Sequence, residues 1–260
     1  MAGMEKSYIL NREFKDSLRL YQQHWMWKYR LGWNLHPLIK VPESSKEGES
    51  FKIADVGAGN GAYFPAREHL PKIVTMETLN ALDDIPAELV GVFDVVHVRT
   101  FTAVIRNNNP GPIIANAIKM LKSGGHLQWD EMDMGSLVAK RPNEATSGKA
   151  MQYLLEGCLL SMKETMGLKF DWISRLDEIF REHGLDIVDT FRLDATNDLL
   201  KPMTDNFLTG MEMMSCYVDG EGNMVGTKRN WVEMWSKAGE EINRGVTISM
   251  DMLVIVGRKT

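Results

Sequence analysis

The sequence predicts an α/β fold, a mostly parallel, doubly wound sheet with helices packed on it, and three observations carry that prediction. Short apolar runs at 51–56, 93–98 and 126–129 read as strands buried on both faces. They alternate with helical stretches, which is the pattern of a parallel sheet. The first run stops at a glycine-rich turn, Gly57-Ala58-Gly59-Asn60-Gly61, where such a sheet binds its ligands.

In chain order, 14–35 carries Leu18, Tyr21, Trp25, Tyr29 and Leu31 at helical spacing, with Lys15, Arg19, Gln22 and Lys28 between them, and ends near Gly32 and Pro37. It reads as an amphipathic helical cap within residues 1–40. Residues 41–50, rich in Ser, Glu and Gly without periodicity, read as a solvated link to the main domain, 51–260. A helix at 112–121 closes on Lys122-Ser123-Gly124-Gly125 before the third strand. Helices follow at 148–166 and 172–183, the second stopped by Gly184, then strands at 185–192 and 247–256. The stretches at about 135–170 and 196–240 are expected to form a helical lid.

Composition bounds the partners. With 260 residues, 44% of them hydrophobic and 25% charged, the chain suits one large domain or two small ones. A net charge of -5 without long Lys or Arg runs gives no attraction for a phosphate backbone, so nucleic acid is not an expected partner. The absence of a long apolar run or of a basic-then-apolar leader points away from the membrane and toward the cytoplasm. Cys158 and Cys216, each beside apolar residues and without ligand spacing, are expected to be reduced structural thiols, and no metal is expected. Eight of the 18 methionines fall between Met203 and Met252, as core filler or as a pliable lid over substrate.

Asp55-Val56-Gly57-Ala58-Gly59-Asn60-Gly61 after a strand resembles the first motif of class I S-adenosylmethionine (SAM) dependent methyltransferases. The run Phe93-Asp94-Val95-Val96-His97-Val98-Arg99 looks like that family's fourth strand, and 121–131 is similar to its next one. Together with Arg19-Leu20-Tyr21-Gln22-Gln23-His24, these segments resemble more narrowly the methyltransferases of fungal secondary metabolism. The resemblance implies a Rossmann-like methyltransferase fold and SAM as cofactor. By position it makes Asp55, Gly57, Gly59 and Gly61 the cofactor contacts.

The family places a helix, a second strand ending in a ribose-binding acid, another helix and a third strand between the glycine loop and its fourth strand. Here 61–93 is too short for all of them. One alignment makes 62–70 the helix and 73–76 the second strand, so that Glu77 holds the ribose, although Pro65 disturbs the helix. The other makes 72–80 the third strand and puts Asn80 near the adenine. Either way the sheet is expected to be short of one strand, its edge covered by the N-terminal helix or by a partner subunit, as in a homodimer. A missing ribose carboxylate removes bonds of about 1.5–3 kcal/mol each, which puts SAM binding itself in question.

By family position the residues facing the reacting centre are His97, Arg99 and Thr100, then Trp129, Asp130 and Glu131. His97 reads either as a buried, hydrogen-bonded histidine or as a base. Arg99, at a strand's C-terminal end, is placed for a carboxylate or enolate. Asp130, Glu131 and Asp133 either raise one another's pKa to give a base or are solvated in a loop. His24, with Tyr21, Trp25, Trp27 and Trp33, is placed to roof a pocket or to fill core.

The function these readings support is SAM-dependent methylation of a small-molecule natural product. The alternative is a methyltransferase-fold enzyme that has lost transfer and catalyses cyclisation, isomerisation or a pericyclic reaction. A non-catalytic regulatory subunit is a third possibility.

Overall fold

The computed structural model describes residues 14–42, 50–58 and 72–260. Its sheet contains β1 (Ile53–Val56), β2 (Phe93–Arg99), β3 (Leu121–Lys140), β4 (Leu185–Leu193) and β5 (Thr247–Lys259), in the spatial order β1-β2-β3-β5-β4. β1 pairs parallel with β2 and β2 with β3, whereas β5 runs antiparallel to both β3 and β4. Four strands therefore share one direction and β5 alone opposes them.

The helices are α1 (Phe14–Leu31), α2 (Gly111–Met120), α3 (Lys149–Met166), α4 (Leu176–Glu182), α5 (Asn197–Glu212) and α6 (Trp231–Ile242). Pro112 lies in the first turn of α2, where its missing N–H costs nothing, and Ile113, Ile114, Ala117 and Met120 turn one stripe of α2 to the core. Asn230 caps α6 by accepting a bond from Glu233 N at 3.0 Å. The turn that takes α4 into β4 uses Gly184 at φ 79°, the stop read from the sequence. Under the sheet, Trp129, Trp172 and Phe180 meet edge to face with ring centroids 5.7 and 6.4 Å apart.

Four expectations are corrected. First, no strand forms between β1 and β2 among the described residues. Residues 74–80 are irregular, Ile73 is 95% exposed, and the Asn80 carboxamide is engaged in a local turn with Leu82 N. Neither the 73–76 nor the 72–80 strand exists, and the helix expected at 62–70 lies outside the described residues.

Second, α1 turns the other way. Met26, Trp27 and the Asp16–Arg19 pair are buried, while Leu18, Tyr21, Trp25 and Tyr29 face outward. Apolar residues occur all round this helix, so period alone does not choose a face; the bond from Asn206 on α5 to Arg19 O at 2.6 Å does.

Third, the segment from 135 is not yet helical, because β3 continues to Lys140 beside β5. Fourth, Cys216 is exposed, whereas Cys158 is buried. The methionines at 151, 203, 211, 224, 234, 250 and 252 are core residues, in keeping with the filler reading.

Candidate active site

The C-terminal ends of β1, β2 and β3 lie side by side, and their register pairs Asp55 with His97, His97 with Gln128, and Arg99 with Asp130. Neighbours in register on parallel strands point to the same face. That single fact assembles a polar network from residues scattered over 75 positions.

Asp55 Oδ1 lies 2.8 Å from His97 Nδ1, and Asp130 Oδ2 lies 2.9 Å from His97 Nε2. An imidazole facing a carboxylate at each nitrogen donates from both, so it is a cation. Burial pushes the His97 pKa down, but Asp130 and then Asp55 outweigh it and hold the ring at about 9. Asp130 is fully buried; burial raises its pKa, yet His97 and Arg99 together hold it below the usual carboxylate range. Arg99 donates to the same Oδ2 from Nε at 3.0 Å and Nη2 at 2.7 Å.

Gln128 donates to Asp130 Oδ1 at 3.0 Å and to Asn34 O at 3.2 Å, while its carboxamide oxygen accepts from His36 N. From α1, the Trp27 ring lies under the Arg99 guanidinium, 5.5 Å from its carbon, and His24 Nδ1 accepts from Arg99 Nη1 at 3.3 Å. Burial, then Arg99, lowers the His24 pKa, which keeps that nitrogen an acceptor. Two carboxylates and two cations thus close on each other, with a neutral histidine at the rim.

The candidates fare unequally. Asp55, His97, Arg99, Asp130 and His24 come together. Thr100 stands beside them at φ 52°, a left-handed conformation that strains a β-branched residue; its N–H donates to Asp130 O at 2.9 Å and its hydroxyl to Gln23 at 3.5 Å. Trp129 is wholly buried in the aromatic core and is no substrate contact. Tyr21 and Trp25 are half exposed, and Trp25 touches the network only through His24, with ring centroids 6.0 Å apart. Glu77 and Asn80 are exposed in the irregular segment. Gly57 is described, whereas Gly59 and Gly61 lie outside the described residues.

The three acids do not act on one another. They lie in a strand, where alternate residues point to opposite faces. Asp130 joins the network, Glu131 enters the other side of the sheet, and Asp133 pairs with Arg192. Glu131 does have a raised pKa, about 7, but its cause is burial, only partly offset by four donors. Arg99 is not free for a carboxylate or enolate, because Asp130 already receives two of its N–H groups.

Sequence reasoning missed Gln128, Phe101 and Thr102. Gln128 was accessible through the two-residue period that places it beside Asp130, whereas nothing local marks the other two. A surface groove of about 540 Å³, lined by Tyr153, Leu160, Lys228 and Arg229 among others, contains none of these residues.

The strand order and the turn at Gly57 define an α/β fold, a sheet of four strands in one direction with β5 antiparallel to them. No family model matches the chain. It is 28% identical over 120 residues to Methyltransferase grgD of a Penicillium species, a match covering 35% of this chain and 42% of that protein, less than half its length. Solved structures similar to it include one from Galdieria sulphuraria, provisionally assigned as a sarcosine dimethylglycine methyltransferase (12% identity, 99% of this chain and 92% of that one, TM-score 0.45). Another is geranyl diphosphate methyltransferase in complex with SAM (9% identity, 100% and 96%, TM-score 0.41). A third is the [4+2]-cyclase SpnF (16% identity, 70% and 56%, TM-score 0.35). At scores this low the superpositions add nothing to the fold beyond the strand order. No helix among the described residues is long and apolar enough to cross a membrane.

Proposed function

We propose that the chain is a SAM-dependent methyltransferase acting on a small-molecule natural product. The observation that carries this reading is the turn at Gly57, φ 76°, at the end of β1 beside an Asp55 side chain that is 56% exposed. A backbone without a Cβ and an adjacent carboxylate at a strand's C-terminal end suit the amino-acid part of SAM. Asp55 and Gly57 would hold it, with Glu77 the acid available for the ribose. When bound, SAM supplies the methyl group.

Methyl transfer asks the protein for orientation and exclusion of water more than for a base. A mutually neutralised network suits that demand: it ties three strand ends and α1 together. His97 holds its proton between two carboxylates, and Trp27 and His24 of α1 pack against Arg99. The relative from Penicillium supports the reaction class, and its fungal source supports a natural product as substrate.

Titration calorimetry with S-adenosylhomocysteine tests the reading, with micromolar binding expected. Absence of heat at millimolar ligand would overturn it. The absence of a strand between β1 and β2 among the described residues favours a second reading, a cyclase or isomerase on the same fold. That reading gains if a product forms equally with and without SAM.

A further inference from the structure

We propose that Glu131 is the positioning residue of the glycine turn: from β3 it fixes the loop after β2, so that Phe101 forms a floor beneath Gly57 and leaves the turn's outer face to the ligand. Only the identity of that ligand rests on the methyltransferase reading.

The chain of contacts is continuous. The Glu131 carboxylate accepts from Phe101 N at 2.9 Å and Thr102 Oγ1 at 2.5 Å in the loop, and from Trp129 Nε1 at 3.2 Å and Met132 N at 3.1 Å in its own strand. It is wholly buried and touches no open surface, so it is not a catalytic acid or base. Phe101 packs edge-on against Trp129, ring centroids 6.0 Å apart, and closes on the turn: a methyl on Gly57 would lie 2.2 Å from Phe101 Cε2. Gly57 nevertheless stays exposed on its other side. The loop leaves β2 through the left-handed Thr100, a conformation that persists only where its surroundings hold it.

The groups facing Glu131 are uncharged: Phe101 and Thr102 from the loop, Trp129 and Met132 from β3. Asp55, His97, Arg99 and Asp130 occupy the opposite face, and Asp133, further along the same face, is bound to Arg192. Burial raises the Glu131 pKa to about 7, so the clamp weakens as the buried carboxyl ionises above neutrality.

The test measures amide hydrogen exchange at Phe101 against Val96 in mid-β2, and S-adenosylhomocysteine affinity, from about pH 6 to about pH 8.5. It compares the wild type with Glu131→Gln and with the milder Thr102→Val, which removes one donor and keeps the shape. In the wild type, Phe101 protection should fall as pH rises through about 7, because the clamped state holds the Glu131 proton more tightly than an opened loop does, and ligand affinity should follow it. In Glu131→Gln both should lose their pH dependence, with Phe101 exchanging about tenfold faster at the acid end and Val96 unchanged. Thr102→Val should fall between the two. Wild-type protection of Phe101 in both variants would overturn the proposal. If no protein binds the ligand, the methyltransferase reading fails, while the exchange data still decide the clamp.

Discussion

Replacing Asp130 by Asn should do more damage than any other single change at the strand ends, and the structure says why. The side chain is fully buried and neutralises two cations at one oxygen, His97 at 2.9 Å and Arg99 at 2.7 Å. Asparagine keeps the volume and removes the charge. Arg99 cannot shed its proton, so it stays charged and unpaired in the interior, a loss of about 3–5 kcal/mol for a broken buried pair. His97 can respond, because Asp130 is the largest influence holding its pKa up against burial. Its pKa should fall well below 9, with Asp55 alone left to oppose burial. NMR titration of the His97 imidazole reads the second effect, and scanning calorimetry the first, as a fall of roughly 10 °C in Tm for a chain of this size. Asp55→Asn is the control: its side chain is 56% exposed, so solvent screens the loss and the fall should be much smaller. A wild-type His97 titrating near 6.5, or one that Asp130→Asn leaves unmoved, would refute the network.

Three further outcomes follow from the same coordinates. His97, raised from 6.5 to about 9, and Glu131, raised from 4.5 to about 7, both bind protons more tightly in the native state, so each contributes stability at low pH that is lost as pH rises through the folded value. Urea unfolding should therefore show stability dropping by on the order of 5 kcal/mol from pH 5 to pH 9; a flat or rising profile would contradict both assignments. Gly57→Ala should cost about 3 kcal/mol, from positive φ and the Phe101 contact together, and Phe101→Leu should relieve part of it. Strict additivity of the two would remove the floor from the description. Ellman's reagent should modify Cys216 rapidly and Cys158 only on unfolding, since burial pushes the Cys158 thiol up to about 12; two equally reactive thiols would be inconsistent with the fold.

How much of this was legible in the sequence depends on whether the information is local. β1, β2, α2, α3 and β4 were readable to within a few residues because short apolar or alternating runs mark strands and a helix stops at glycine, although of these strands only β2 is buried through its middle. β3 was underestimated for the converse reason. Its polar stretch from Asp130 to Ser136 reads as loop until Arg99, Arg192 and the backbone of β5 satisfy it, and those partners lie as far as 115 positions away. Helix α1 was recognised and turned the wrong way, because apolar period identifies a helix but not which of two apolar sides meets the protein.

The site divides along the same line. Asp55, His97, Arg99 and Asp130 were found because strand ends are where such sheets bind ligands, an argument about position. Their roles were misjudged because role depends on register. One residue of slip in β3 would replace Asp130 by Glu131 opposite Arg99, and the network would lose the carboxylate that serves both cations. With the observed register, His97, Arg99 and Asp130 are committed to one another. The buried members of the network therefore hold the strand ends in place rather than exchange protons.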